Sequence, residues 1–246
     1  MTGSEFSDQF DVQYNNITSN QAPGLDEYEK AVFLTKAQNE LVKNYFLPQS
    51  NPKQAGFDGN QKRQIDFSSI TCVSSKDTFD NALYDGRDNS KSVTMPDDIW
   101  MIVNERVDVT RKENTVGLVV KAIAFDEYDR LMSKPFKRPL QYQAWRLINN
   151  EGGNKADLIV GPSDTITGYT VRYVKRPKPI IVGDLDGLTI NGYEYGTGQG
   201  KASRCELDPV IHEEIVQRAV ELAKAAWTAT GQDNIEAMTQ MGQRSE

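Results

Sequence analysis

The chain has 246 residues, with 28 basic and 35 acidic side chains and a formal net charge of −7. This length allows one large domain or two small ones with a real core, and the apolar fraction of 38 % is slightly low but excludes full disorder. No apolar run approaches the ~20 residues that a membrane span needs, and the polar opening predicts no secretion signal.

The N-terminal part divides into an arm and a helix. Residues 1–24 are rich in Ser, Thr, Asn, Gln and Asp, so they are predicted to form an extended arm. Leu25–Phe46 is predicted to be a helix, because its apolar residues recur at spacings of three and four. The stripe consists of Leu25, Tyr28, Ala31, Leu34, Ala37, Leu41 and Tyr45.

The middle of the chain has the alternation of β-strands. A first strand is predicted at Ile65–Val73, and a hairpin spans Pro96–Ile123 with its turn at residues 111–114. On the first hairpin strand one face is predicted to carry Ile99, Met101, Val103, Val107 and Val109, with Trp100 and Ile102 behind. A short helix and three more strands follow, at Asp126–Met132, Ala144–Ile148, Asp157–Val160 and Ile166–Val174.

The clearest helix signal lies near the C-terminus, at Leu207–Thr230. Asp208 is a good N-cap, and Pro209 suits the first helical position because that residue needs no N–H partner. The many alanines of its apolar face predict close approach of a second helix, and Leu25–Phe46 is the natural candidate. Residues 232–246 form a polar tail.

These elements predict an α+β protein. A helical bundle is built from the N- and C-terminal helices, and a mostly antiparallel β-rich section is inserted between them. The predicted parts are the arm 1–24, a helical layer of 25–64 and 207–231, the β-rich insertion 65–206, and the tail 232–246.

The charge is distributed in blocks. Residues 130–178 have a net charge of +7, whereas residues 1–129 and 179–246 have net charges of −8 and −6. Such blocks suit contact between copies, contact with a partner of opposite sign, or solvated faces. A basic interface is predicted from Arg130, Lys134, Lys137, Arg138, Arg172, Lys175, Arg176 and Lys178. Tyr142, Trp145, Tyr169 and Tyr173 lie among these cations, as in surfaces that bind nucleic acid.

Motifs of enzymes are incomplete. His212 is the single histidine, and with two distant cysteines it cannot complete a zinc site. The loop Tyr195–Ala202 lacks the first glycine and the final hydroxyl residue of a phosphate loop, and Asp184–Gly187 departs from a calcium loop. The sequence therefore predicts no catalytic residue, no metal and no cofactor, although its scattered carboxylates leave a hydrolase as the least favoured alternative.

Three segments resemble a known family. They are FDEYDRLMSKPFKRPLQYQAWRLINN (residues 125–150), GYTVRYVKRPKPIIV (168–182) and LDPVIHEEIVQRAVELAK (207–224). They resemble a virion structural protein of the crAss-like bacteriophages, one of the portal-proximal rings that act as head-to-tail adaptors in the neck.

The resemblance implies a subunit of a twelve-copy ring that contacts the portal protein and adjacent ring proteins. It also implies a channel for genomic DNA without sequence-specific binding, assembly in the host cytoplasm and no membrane contact. No catalytic residue is carried over, and residues 1–24 and 232–246 become the expected docking segments. The alternatives are another virion component, such as an auxiliary capsid or tail-tube protein, and a DNA-binding module that uses Arg172–Lys178.

Overall fold

A computed structural model describes residues 1–17, 24–46, 61–82, 84, 89–139, 141–149, 154–190, 193–194, 202 and 204–228. The predicted tail 232–246 and most of the loop Tyr195–Ala202 lie outside the described residues. The chain folds into two compact units. The helical unit consists of residues 1–70 and 177–246, and the sheet unit consists of residues 71–176. The sheet unit is thus one continuous insertion, narrower than the 65–206 predicted from the sequence.

The helical unit begins with a helix where an extended arm was predicted. Helix α1 spans Gly3–Ile17, so the prediction of an extended arm is wrong for these residues. A capping box starts the helix: the Thr2 N–H donates to Glu5 Oε2 at 2.9 Å, and the Glu5 N–H donates to Thr2 Oγ1 at 3.4 Å. Its buried face carries Phe6, Phe10 and Tyr14, four residues apart.

The predicted helices of this unit are present with shifted ends. Helix α2 spans Glu27–Phe46 and starts with a second capping box between Asp26 and Glu29. After the short helix α3, Gln61–Asp66, the chain leaves for the sheet unit and returns to helix α5, His212–Thr228. A 3-10 turn over Pro209–Ile211 precedes α5, and the Asp208 side chain accepts from the Val210 N–H at 3.0 Å, as its predicted capping role requires.

Helix α5 packs against both α1 and α2, and its contact with α2 is the more extensive. Ala31, Leu34 and Ala37 of α2 are fully buried, and Ala219 of α5 is too. Small side chains on both helices allow the close approach that the alanine pattern predicted. A hydrogen bond also joins the two helices, since Arg218 Nε of α5 donates to Glu40 Oε2 of α2 at 2.9 Å.

The sheet unit contains eight described strands in one sheet. The order is β1-β8-β4-β5-β6-β7-β3-β2, and of these pairs β5–β6 is parallel and the others are antiparallel. The strands are β1 Thr71–Lys76, β2 Asp80–Asn81, β3 Ser90–Thr94, β4 Ile99–Arg111, β5 Asn114–Ala122, β6 Gln143–Asn149, β7 Lys155–Ile159 and β8 Thr165–Lys175. A small separate sheet in the helical unit pairs β9 Thr189–Ile190 with β10 Tyr193–Glu194.

The predicted hairpin is present and tight. Arg111 of β4 pairs with Asn114 of β5, so a two-residue loop joins the strands. Both loop residues have positive φ, 45° at Lys112 and 71° at Glu113. This is the left-handed pair of a type I′ turn, which suits the twist of the strands although neither residue is glycine or asparagine.

The sheet curls around a core on its inner face. Strands β8 and β3 are not neighbours in the sheet, yet both contribute to one cluster and contact each other. The predicted alternation of β8 is confirmed, because Tyr169, Val171 and Tyr173 share this core. The buried members of the cluster are Val93, Met95, Val107, Val109, Leu118, Ala144, Ala156, Leu158, Val160, Ile166, Tyr169, Val171 and Tyr173.

The predicted face of β4 needs one correction. Ile102 packs against the inner core together with Ile99, although the sequence placed the two residues on opposite faces. Irregular register between β4 and β8, at Ile99/Met101 and at Ile102/Asn104, explains the change. An extra residue in a strand reverses the alternation of every side chain beyond it.

The first predicted strand also begins later than expected. Within the predicted Ile65–Val73, a 3-10 turn covers Ser68–Ile70, and β1 starts only at Thr71. Phe67 and Ile70 are buried in the helical unit, whereas Ile65 is exposed. The apolar pattern here therefore arises from Phe67 and Ile70, which pack in the helical unit, and not from a longer strand.

Candidate assembly interface

Half of the predicted basic interface lies at the end of β8 and just beyond it. In chain order these residues are Arg172 and Lys175, which are half-buried, and Arg176 and Lys178, which are exposed. The first three belong to the sheet unit and Lys178 to the helical unit. There the Lys178 N–H donates to Glu206 Oε2, and its carbonyl accepts from Gln38 Nε2, both at 3.2 Å. The residues of this segment are thus divided between two units.

The other half lies on the connection between the parallel strands β5 and β6. This connection contains helix α4, Phe125–Met132, and a 3-10 turn, Pro135–Lys137. Arg130 on α4 forms an exposed ion pair with Glu127 at 2.7 Å. Lys137 is the last residue of the turn, Lys134 and Arg138 flank it, and all three are exposed.

Helix α4 is held on the outer face of the sheet by a second apolar cluster. Tyr128 and Met132 pack there with sheet residues. A series of aromatic rings continues outward, with centroids 6.5 Å apart for Tyr128–Trp145, 5.4 Å for Tyr84–Tyr128 and 5.1 Å for Tyr84–Phe125. Edge-to-face contacts of this kind stabilise α4 beyond the burial of apolar area. The buried members of this cluster are Ile123, Tyr128, Met132, Trp145, Leu147 and Ile159.

Phe136 is a surface residue that the sequence reasoning missed. It lies in the 3-10 turn and is 96 % exposed, the highest value of any large apolar side chain among the described residues. The signal was present in the segment SKPFKRP, where one aromatic residue stands between two prolines and three cations. A large apolar side chain kept on the surface by a short, defined turn is typical of an anchor for a partner.

A buried ionic network ties the curled sheet together. Glu105 on β4 accepts from the Tyr169 hydroxyl of β8 at 2.5 Å and from Arg146 NH1 of β6 at 2.6 Å. The three residues are buried in the sheet unit. Burial, and then the negative charge of Glu105, raises the pKa of Tyr169 well above its usual value, so this hydroxyl remains a donor. The network joins strands β4, β6 and β8 inside the sheet unit.

A second ion pair fixes the end of the hairpin. Arg111 donates from Nε to Asp164 Oδ1 at 2.6 Å and from NH2 to Asp164 Oδ2 at 2.5 Å. The same NH2 group also donates to the Gln141 carbonyl at 2.9 Å. This bidentate pair joins the hairpin to the β7–β8 loop and to the segment that follows α4.

His212 has the environment of a buried structural residue. It is 2 % exposed, its Nε2–H donates to the Leu207 carbonyl at 3.0 Å, and its Nδ1 accepts from the Met1 ammonium at 2.8 Å. Burial lowers the pKa of His212, so the ring is neutral near pH 7. It lines a cavity of about 290 Å³ with Cys205, whose pKa burial raises to about 11. A neutral thiol beside a neutral imidazole lacks the thiolate that nucleophilic chemistry requires.

The segment Asp184–Gly187 folds as a turn. Asp184 Oδ1 accepts from the Asp186 N–H at 3.4 Å, and Gly187 follows with a φ of 79°, which is the geometry of a turn. Among the described residues, no group of three or more His, Cys, Asp or Glu side chains is placed to hold a metal ion. In the same residues, no helix has both the length and the apolar character to cross a bilayer.

Comparison with known proteins decides the family. The family model described as phage tail ring protein 3/4 matches residues 1–234. The chain belongs to this family of bacteriophage tail ring proteins. The match includes both the helical unit and the inserted sheet unit, so it applies to nearly the whole chain.

Two curated relatives of the ring-protein family come from Bacteroides phage crAss001. The protein named "Ring protein 4/5" is 46 % identical over a 254-residue alignment that covers all of both chains. The protein named "Ring protein 3" is 30 % identical over 230 residues, 91 % of this chain and 95 % of the relative. The resemblance to crAss-like phage ring proteins is therefore confirmed, and the chain is a structural component of a phage virion.

Proposed function

We propose that this chain is a subunit of a head-to-tail connector ring, which joins the portal to the tail in the virion neck and lines the DNA channel. The observation that carries the proposal is the full-length likeness to a ring protein of another phage. The relatives are named ring proteins 4/5 and 3, which suggests more than one kind of ring protein. The portal and adjacent ring proteins are the proposed partners. The proposed ring has twelve copies and assembles in the host cytoplasm.

The physical properties of the chain support this role. A ring requires a heterologous interface, in which one surface of a subunit meets a different surface of the next. The net charge of +7 over residues 130–178 and the acidic blocks on either side provide surfaces of opposite sign. A net charge of −7 also suits a channel through which DNA passes without being captured.

We also infer that the helices α1, α2 and α5 act as a helical bundle that carries the inserted sheet unit, and that this subunit has no enzymatic activity. The packing of α5 on both other helices supports the first part. The neutral state of His212 and the raised pKa of Cys205, to about 11, support the second. Of the two segments expected to dock onto neighbouring layers, residues 232–246 remain the proposed one, because Gly3–Ile17 forms helix α1 and packs on α5 of its own chain.

Imaging of the intact virion tests the connector proposal. A cryo-EM reconstruction of the neck should contain a ring of this chain between portal and tail, with DNA density along its axis. Copies located in the capsid shell or in the tail tube would favour the other virion roles instead. Absence of the chain from purified particles would overturn the proposal.

Direct binding of DNA by Arg172–Lys178 stays a separate prediction. Two of its four cations are half-buried on a strand, which leaves Arg176 and Lys178 as the exposed members. If the segment binds phosphates, the protein should shift the electrophoretic mobility of duplex DNA at low salt, and this shift should disappear as the salt concentration rises. No shift at low salt would remove this alternative.

A further inference from the structure

The turn after α4 has an exposed aromatic residue at its centre. Phe136 is 96 % exposed, whereas Phe125 on α4 is 40 % exposed and contacts Tyr84. A phenylalanine that water surrounds on nearly all sides gains from any apolar partner surface. We call Lys134, Phe136, Lys137 and Arg138 the basic tip.

The basic tip is fixed in place before any partner binds. Pro135 restricts the backbone at the start of the turn, and the Lys137 N–H donates to the Lys134 carbonyl at 2.9 Å. Arg138 Nε donates to the Met132 carbonyl at 3.0 Å, and Met132 is buried against the sheet. Because the turn is already ordered, burial of Phe136 costs little conformational entropy.

The cations of the basic tip specify the character of the partner. Lys134, Lys137 and Arg138 lie within two residues of Phe136 in the chain, and all three are exposed. An apolar anchor with a rim of one charge fits a surface that has an apolar centre and a rim of the opposite charge. The partner surface should therefore present carboxylates around exposed apolar side chains.

The helical unit has a surface of this description. At the start of α2, Tyr28 is 36 % exposed and its hydroxyl donates to the Thr189 carbonyl at 3.1 Å. This bond places Tyr28 beside the 183–189 segment, where Leu188 is 42 % exposed. Exposed carboxylates belong to the same two segments, and besides Asp26 and Glu29 of the capping box they are Glu27, Asp184 and Asp186. We call this set the acidic face; it consists of Glu27, Tyr28, Asp184, Asp186 and Leu188.

We propose that the basic tip of one copy docks on the acidic face of the next copy of this chain. The two surfaces belong to different units, so the contact is heterologous, and its repetition can close a ring instead of forming a two-fold dimer. The inference rests on the proposed ring function and adds the residues that join one subunit to the next.

Photo-crosslinking in the assembled virion tests the contact directly. The Phe136→p-benzoylphenylalanine variant keeps an aromatic side chain at the tip and is incorporated into particles by complementation. After irradiation, mass spectrometry should find position 136 joined to residues 24–30 or 183–189 of a second copy. A crosslink to another virion protein, or none, would overturn the proposal. If the chain were missing from the neck, the ring function itself would fail, which is a different outcome.

Charge exchange in the purified full-length protein provides the second test. Lys134→Glu with Lys137→Glu should weaken association of copies on the order of tenfold or more, and so should Asp184→Lys with Asp186→Lys. All four changes in one chain should restore it, because the charges are exchanged across the contact. Association that stays lost in the fourfold variant would count against the tip and the face as partners.

The apolar part of the contact needs its own control. Phe136→Ser should weaken association by a similar factor, whereas Val119→Ser, at a 64 % exposed position on β5, should not. The unfolding temperature of both variants should stay near that of the parent protein, because neither side chain is buried. Equal association of Phe136→Ser and the parent would overturn the role of Phe136.

Discussion

Arg146 illustrates how single residues determine the stability of the sheet unit. Its side chain is 9 % exposed in the ion pair with Glu105, and its Nε has no hydrogen-bond partner among the described residues. A buried guanidinium with an incomplete set of partners depends strongly on the carboxylate that remains. Glu105 also accepts from Tyr169, so one side chain holds two others in place.

Removal of the charge of Glu105 should therefore be costly. We expect Glu105→Gln to lower the free energy of unfolding by about 3–5 kcal/mol, because Arg146 would remain buried without a counter-charge. Asp108→Asn removes a carboxylate from the same strand, where the pair with Arg106 is 2.9 Å long and partly exposed, and should cost at most about 1 kcal/mol. Urea unfolding followed by tryptophan fluorescence compares the two. If both variants lost a similar free energy of unfolding, the burial of the ion pair would not determine how much its loss destabilises the protein.

The single histidine makes one pH dependence easy to isolate. Burial lowers the pKa of His212 below its value of about 6.5 in the unfolded chain. The unfolded state therefore binds the proton first, and stability should fall as the pH drops below about 6.5. The charges near the ring are the Met1 ammonium, Glu5 and Asp208.

Thermal unfolding between pH 7.5 and 5.5 measures this effect. The parent protein should lose unfolding temperature over this range, and His212→Gln should show a weaker dependence because glutamine does not titrate. The difference between the two proteins isolates the contribution of His212, because most carboxylates titrate below this pH range. A parallel decline in both proteins would assign the pH dependence to other groups.

At the scale of elements, the helices and strands with the strongest local sequence patterns were the ones predicted correctly. Asp208 and Pro209 identified the start of the last helix, and period-two alternation identified the β4–β5 hairpin. Helix α1 was missed because its polar composition outweighed the Thr2–Glu5 capping box and the spacing of its aromatic residues. The spacing signal was present, but its meaning depends on α5, which lies about two hundred residues away and covers that face.

The docking of α1 depends on a close contact at its first residue. A Cβ atom on Gly3 would overlap the backbone carbonyl of Ile181, which cannot move like a side chain. Alanine favours helices over glycine by ~1 kcal/mol, so without this contact Gly3→Ala should stabilise the protein. We expect instead a loss of about 1–3 kcal/mol and faster proteolysis within α1, because the helix must shift.

Gly24→Ala is the matched control for this change. A Cβ atom at Gly24 meets no other atom within 4 Å, so the variant should be as stable as the parent protein or slightly more stable. Thermal unfolding and limited proteolysis of both variants give the comparison. If Gly3→Ala were the more stable of the two, the close approach of α1 to Ile181 would be wrong.

At the scale of the whole molecule, the inserted arrangement has a simple structural basis. The chain enters the sheet unit at Thr71 and leaves it after Arg176, and the strands at these ends, β1 and β8, are adjacent, with Thr71 opposite Val174. The α+β class and the insertion were predictable from the order of helix and strand patterns. The sheet order, the curl and the network of Glu105 were not, because they depend on contacts between residues 41 and 64 positions apart.

Adjacent ends and a separate core predict that the sheet unit folds alone. A fragment of residues 71–176 retains the inner and outer apolar clusters and the ion pair between Glu105 and Arg146. It should unfold cooperatively in urea, with a change in the fluorescence of Trp145, which is 3 % exposed in the intact chain. A fragment of residues 77–176 lacks β1, so it exposes β8 as a new edge and should be less stable. A gradual, non-cooperative transition of the longer fragment would mean that the sheet unit requires the helical unit to fold.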